Sequence, residues 1–145
     1  MQGREAMLGF TVLLLFSLIV VGAYVAAGDY GEACGSQVPA AWPLCNGNLL
    51  PPLQTGAIVE YTHRILAALS TLFLLVTTAL YWRARSGPDP ASRALLFASL
   101  LLIFQVLLGG LVVAQNLGAV LVALHQAAAI LVFGFAVAAL ALGTG

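Results

Sequence analysis

Charge is what this 145-residue chain lacks most. It contains no lysine, and its five arginines and five acidic residues make up only 7% of the chain, whereas 62% is hydrophobic. Because most of a soluble domain's surface faces water, such a domain carries about a quarter charged residues, and the composition therefore excludes an ordinary soluble domain. A basic run is missing as well. Nucleic-acid phosphates are bound by clustered Lys and Arg, so we expect no nucleic-acid partner.

Long apolar stretches take the place of the missing charge, and they predict four membrane-spanning helices. A helix needs about 20 apolar residues to cross the hydrocarbon core of a bilayer. We expect an all-α integral membrane protein, an antiparallel four-helix transmembrane bundle that forms a single domain over residues 1–145. The helices are expected at 6–27, 57–82, 94–114 and 119–142, with a loop at 28–56. A cleaved signal peptide is the alternative for the first stretch, but its apolar run is longer than such peptides carry.

The placement of arginine predicts the orientation in the lipid bilayer. Arg83, Arg85 and Arg93 lie in or beside the short segment between helices two and three, whereas the loop 28–56 contains no basic residue. Basic loops remain on the cytoplasmic side of a membrane. We therefore expect a multi-pass plasma-membrane protein with both termini in the cytoplasm and the loop 28–56 outside it.

Cysteine is scarce too, and both cysteines lie in that loop, at Cys34 and Cys45. Disulfides persist outside the cytoplasm. The pair is either a structural cross-link that closes the loop or a reversible dithiol/disulfide pair that exchanges electrons with something bound beneath it.

Ionisable residues inside the predicted spans are few, and they are candidates for function because charge is costly in lipid. His63 and His125 each lie six residues after the expected start of a helix. These two helices run in the same direction, so at 1.5 Å per residue both imidazoles lie about 9 Å into the membrane. Two histidines at one depth favour axial ligation of heme iron. Structural hydrogen bonds between helices, or proton transfer through a titrating histidine, are the alternatives.

Glu60 precedes His63 by three residues, which places both on one helical face. From there the carboxylate can stabilise positive charge on a substrate carbon or take a proton from an attacking water. It can instead form an ion pair with Arg64, four residues further on, while Arg64 can alternatively pair with a heme propionate. Gly109-Gly110 in the third helix allows close approach of a neighbouring helix or of a flat macrocycle, and helix packing is the simpler interpretation.

Three stretches together resemble the heme A synthase family, membrane enzymes that make heme A for terminal oxidases. The stretches are Trp42-Pro43-Leu44-Cys45-Asn46-Gly47 with Pro51-Pro52, then Glu60-Tyr61-Thr62-His63-Arg64, and then Gln105-Val106-Leu107-Leu108-Gly109-Gly110-Leu111-Val112-Val113 running on to His125. The resemblance implies that the ring methyl of heme O is oxidised by two successive hydroxylations. The resulting gem-diol loses water and leaves the formyl group of heme A.

The resemblance also implies residue roles. His63 and His125 would be the axial ligands of the substrate heme, Glu60 the catalytic carboxylate, and Cys34 with Cys45 a redox pair in the loop. Members of this family usually have eight helices in two similar halves, the second of which carries a heme b, and this chain resembles the catalytic half. The spacing of its cysteines is longer than in the usual motif.

Partners are expected on the same basis. A lone four-helix unit leaves apolar faces and small-residue seams that can self-associate, so we expect a homo-oligomer. Heme O synthase and an electron acceptor such as a quinone are further expected partners. Two other functions remain open: a bis-histidine cytochrome for quinone-linked electron transfer, and a four-helix thiol oxidase.

Overall fold

The computed structural model describes residues 2–37, 41–84 and 89–143. Four helices form within these ranges: α1 Gln2–Ala27, α2 Thr55–Arg83, α3 Pro90–Ala114 and α4 Ala119–Gly143. Each is long and apolar enough to cross a membrane. Over the same ranges no β-strand is present beyond an isolated bridge between Cys45 and Asn48. The predicted fold class is confirmed.

The helices α1, α2 and α3 begin two to four residues earlier than the apolar stretches predict, whereas α4 begins at Ala119 as predicted. In α3 the reason is a cap, because the carboxylate of Asp89 accepts hydrogen bonds from the backbone N–H groups of Ala91 at 3.0 Å and Ser92 at 3.4 Å. Pro90 suits the first helical position, where its fixed φ is already helical and no N–H is needed. Apolar composition locates the part of a helix that crosses the lipid, and the helix then continues into the polar interface.

The helices form a ring in chain order. The pairs α1–α2 and α3–α4 pack most extensively, and contacts of α2 with α3 and of α1 with α4 close the ring. In the described parts of the chain, α2 does not pack directly against α4, and α1 does not pack against α3. The helices α2 and α4 therefore face each other across the diagonal, with the same direction along the bundle.

The packed core fills only half the length of the bundle, at the end that carries the two chain termini, which we name the terminal end. Its buried residues include Leu8, Leu15, Leu74, Tyr81, Leu95, Leu102, Val132 and Ala136. Buried hydroxyl pairs tie the helices together here, with Thr11 and Thr77 3.0 Å apart and Thr78 and Ser99 2.8 Å apart. Hydrogen bonds of this kind between membrane helices are worth about 0.6 kcal/mol each.

The opposite end, which we name the loop end, carries the segment between α1 and α2. Cys34 and Cys45 form a disulfide there, and both side chains are fully buried together with Ala57. The backbone N–H of Asn46 donates to the carbonyl of Cys34 at 3.0 Å. The disulfide segment thus packs onto the first turn of α2. Of the arginines expected to set the orientation, Arg83 and Arg93 lie at the terminal end, and Arg85 lies outside the described residues.

Candidate functional site

A cavity of about 920 Å³ opens between the four helices at the loop end. Its volume falls in the range of small-molecule and cofactor pockets, about 300–1,000 Å³. One side chain from each helix forms its floor: Leu15, Thr71, Leu102 and Val132. Three of these also belong to the packed core, so the cavity begins where the core ends. Eight polar side chains line its walls: Asp29, Glu60, Tyr61, His63, Arg64, Gln105, His125 and Gln126.

The two histidines enter this cavity from diagonally opposite helices. His63 lies eight residues from the floor residue Thr71 on α2, and His125 lies seven residues from the floor residue Val132 on α4. At 1.5 Å per residue these separations correspond to heights of about 12 and 10 Å. The two imidazoles also lie close enough for a charge on one to affect the other. They therefore face a common space from opposite sides at nearly the same depth.

Each imidazole rests on a glycine of the preceding helix. A Cβ atom placed on Gly22 of α1 would lie 2.8 Å from Cε1 of His63, and one placed on Gly109 of α3 would lie 3.0 Å from Cε1 of His125. Both distances are shorter than ordinary carbon–carbon contacts, about 3.5–4.0 Å. The pairs α1–α2 and α3–α4 thus position a histidine in the same way, with the glycine providing the space for the ring.

Both imidazoles retain a nitrogen that could bind a metal. The Nδ1 atoms of His63 and His125 are buried without a hydrogen-bond partner among the described residues and lie on the glycine side of each ring, so Nε2 is the nitrogen left to face the cavity. The rings also lie beside the backbone carbonyls of Leu18 and Gln105 respectively, each four residues before its glycine. In the described ranges no group of three or more His, Cys, Asp or Glu side chains could hold a metal ion. A metal held by these two histidines must therefore bring most of its own ligands, as heme iron does.

Glu60 and Arg64 connect the cavity wall to the disulfide segment. Glu60 is only 3% exposed, and its Oε2 accepts a hydrogen bond from the backbone N–H of Cys34 at 2.7 Å. Its Oε1 forms an ion pair with Arg64. The Arg64 guanidinium also donates to the backbone carbonyls of Ala41 and Leu44. The carboxylate and the guanidinium therefore hold both cysteine-bearing parts of the loop onto α2.

Trp42 and Pro43 extend from this loop into the cavity wall. A Cβ atom on Gly110 would lie 3.3 Å from the indole of Trp42. The two adjacent glycines of α3 therefore have different neighbours, because Gly109 contacts an imidazole and Gly110 contacts the indole. The sequence predicts that a neighbouring helix or a flat macrocycle approaches this pair closely, whereas in the structure the nearest neighbours are side chains of α4 and of the loop.

Residues 2–137 match the family model of the cytochrome oxidase assembly proteins, COX15-CtaA. The chain belongs to this family. The "Heme A synthase" of Symbiobacterium thermophilum is 37% identical to it over 147 residues, which cover 98% of this chain and 45% of that protein. The "Heme A synthase" of Bacillus pumilus is 32% identical over 116 residues, 79% of this chain and 36% of that protein. The predicted resemblance to heme A synthases is confirmed.

A further relative of this chain carries a different name. "Protoheme IX farnesyltransferase 1" of Natronomonas pharaonis is 34% identical over 139 residues, which cover 96% of this chain but only 28% of that protein. The chain spans less than half the length of each of these curated relatives. A search of the solved structures found no match.

In this member of the family, all four polar residues predicted for the site line one cavity: Glu60, His63, Arg64 and His125. The disulfide lies beside it and contacts it through Glu60. Two neighbours of the site were not predicted, namely Gly22 and the ring of Trp42. A glycine inside a helix lowers helix stability by about 1 kcal/mol relative to alanine. The presence of Gly22 within an apolar helix was therefore the one feature of the sequence that indicated a close contact there. Trp42 belongs to the first of the three stretches that resemble the family, but no role was predicted for its side chain.

Proposed function

We propose that this chain oxidises the ring methyl of heme O to the formyl group of heme A in the membrane. The observation that carries the proposal is the pair of imidazoles that enter one cavity from diagonal helices at nearly equal depth. Each has a buried Nδ1 with no partner among the described residues, and each rests on a glycine. The family and the relatives named "Heme A synthase" support the same activity.

His63 and His125 bind the substrate iron from its two sides, and the macrocycle supplies the four remaining ligands. The heme brings the methyl carbon that is oxidised. Conversion of a methyl to a formyl group, with oxygen taken from water, releases four protons and four electrons, and we propose a membrane quinone as the electron acceptor. Residues of all four helices and of the loop line the cavity that would hold the reacting carbon.

Glu60 is the catalytic carboxylate in this proposal. It lines the cavity and lies one helical turn nearer the loop end than His63. There it stabilises positive charge on the substrate carbon or takes the proton of an attacking water. Arg64 has five N–H donors, of which three serve Ala41, Leu44 and Glu60. We propose that the remaining donors face a heme propionate.

The disulfide is proposed to act as a redox pair as well as a cross-link. The backbone N–H of Cys34 donates directly to the carboxylate of Glu60, which places the disulfide segment beside the proposed catalytic group. The loop end is proposed to be extracytoplasmic and both termini cytoplasmic, because basic residues such as Arg83 and Arg93 lie at the terminal end.

Two partners are proposed. The match of this chain to part of "Protoheme IX farnesyltransferase 1" supports an enzyme of that name, a heme O synthase, as the supplier of the substrate. A second copy of this chain is the other partner, because α4 buries the smallest share of its surface and presents apolar side chains such as Leu124 and Leu131 outward. Membrane helices associate through such faces by packing.

The test is identification of the hemes that the protein contains. The full chain is produced with and without a heme O synthase, and extracted hemes are identified by mass. We expect heme A only when heme O is supplied. Recovery of protoheme alone, with no conversion under any quinone, would contradict the proposed function.

A further inference from the structure

Gln105 is a buried amide in the cavity wall, and its side-chain oxygen has no hydrogen-bond partner among the described residues. Its side chain is 5% exposed and lines the cavity from α3. The Nε2 atom donates to the backbone carbonyl of His125 at 2.6 Å. The Oε1 atom is buried and has no partner among the described residues. Because a backbone carbonyl only accepts hydrogen bonds, the contact to His125 requires the amide nitrogen and fixes the oxygen on the other side.

An unpaired buried acceptor costs free energy, so most such groups have a partner. The protein offers little to this one, because the wall near its level is formed by the apolar side chains of Leu102, Ile103 and Ala129. Gln105 lies four residues before Gly109, the residue on which the His125 ring rests. Four residues of helical rise amount to about 6 Å. Gln105 therefore lies about 6 Å nearer the cavity floor than Gly109, on the wall that a macrocycle bound by His125 would face.

A substrate group that pairs with this oxygen must be a hydrogen-bond donor on the otherwise apolar edge of the heme ring. Methyl, vinyl and methine groups of a heme carry no such donor, and ionised propionates only accept. Heme O differs from protoheme because a hydroxyethylfarnesyl group replaces one vinyl group. Its secondary hydroxyl is a donor attached one carbon from the ring.

On the basis of the function proposed above, we propose that Oε1 of Gln105 accepts a hydrogen bond from this hydroxyl and so selects heme O over protoheme. A site built to bond a hydroxyl discriminates strongly against an analogue without it, because the protein group is then left buried and unpaired. The farnesyl chain adds apolar contact area, whereas Gln105 recognises the alcohol itself.

The test uses the purified full chain and three hemes: heme O, protoheme, and a protoheme derivative in which water has been added to one vinyl group to give a hydroxyethyl group. The last two differ only in that hydration and contain no farnesyl chain. We expect the wild-type chain to bind the hydroxyethyl heme about 10- to 100-fold more tightly than protoheme. Gln105→Met keeps the length of the side chain and removes the acceptor, and it should reduce this ratio to near one.

Gln126→Met is the matched control, because Gln126 is another amide in the cavity wall. It should retain the wild-type ratio. A Gln105→Met variant that binds heme with the wild-type ratio overturns the role of Gln105, and so does a wild-type chain that binds both small hemes equally. Hydroxyl selection without any heme A formation would instead contradict the proposed function and leave the selection intact. A wild-type chain that binds none of the three hemes would overturn both.

Discussion

At the scale of single residues, Gly22 and Gly109 leave the space that the imidazoles of His63 and His125 occupy. Gly22→Ala would place a methyl group 2.8 Å from Cε1 of His63, and Gly109→Ala would place one 3.0 Å from Cε1 of His125. Because overpacking of this kind costs about 1–3 kcal/mol, we expect the ring to leave its present position, which would weaken the proposed bond to heme iron. The heme-to-protein ratio should fall, and part of the absorption spectrum should become five-coordinate, more strongly in Gly22→Ala.

Gly9 provides the control on the same helix. A Cβ atom there meets nothing within 4 Å, and Gly9→Ala should leave the spectrum unchanged while improving helix propensity by up to about 1 kcal/mol. Identical spectra for Gly22→Ala and Gly9→Ala would show that the close contact does not position His63.

Glu60 has observed structural contacts and a proposed catalytic role, and a single substitution can separate the two. Gln at position 60 still has an oxygen to accept the hydrogen bond from Cys34, but it carries no negative charge. We therefore expect Glu60→Gln to retain bound heme, while conversion of heme O falls by about 10²- to 10⁴-fold, the usual contribution of a general acid or base. Heme content and extracted heme A are measured on the same sample. Wild-type conversion in this variant would leave Glu60 only its observed structural contacts, as expected of a bis-histidine cytochrome.

At the scale of elements, the loop is attached to α2 by more than its disulfide. The cross-link joins residues 11 positions apart, and in the chain-entropy model closing such a loop is worth about 3 kcal/mol. The contacts of Glu60 with Cys34 and of Arg64 with Ala41 and Leu44 do not depend on the sulfur atoms.

Replacement of Cys34 and Cys45 together by alanine should therefore destabilise the loop without releasing it. We expect faster limited proteolysis of the loop, retained heme and weakened conversion. The same chain with an intact disulfide, treated with a reductant, should behave like the double variant. Complete loss of activity with heme still bound would favour the thiol oxidase alternative.

The helices could be predicted from the sequence because a stretch of about 20 apolar residues by itself indicates a membrane-spanning helix. Their ends were less predictable, since they depend on local groups such as the Asp89 cap. His63 and His125 were predictable from helical rise alone. The contact between Gly22 and His63 was not, because it depends on how α1 packs against α2. The hydrogen bond from Cys34 to Glu60 likewise joins residues 26 positions apart, and no local pattern reports such a pairing.

At the scale of the whole molecule, the arginines Arg83 and Arg93 and the cavity lie at opposite ends of the bundle. Arg83 and Arg93 lie at the terminal end, whereas Asp29 and Glu32 lie in the loop. The cavity opens at the loop end. The positive-inside rule therefore predicts that the cavity, the proposed site of the heme chemistry, lies near the extracytoplasmic surface.

Single cysteines at the two ends test this orientation. In a chain whose native cysteines are replaced by alanine, Leu50→Cys introduces a thiol in the loop, where Leu50 is 77% exposed, and Ala84→Cys introduces one after the exposed end of α2. A membrane-impermeant maleimide added to intact cells should label Leu50→Cys, and it should label Ala84→Cys only after the membrane is permeabilised. The reverse pattern would place the cavity on the cytoplasmic side, because both thiols are accessible in the fold and only the membrane separates them.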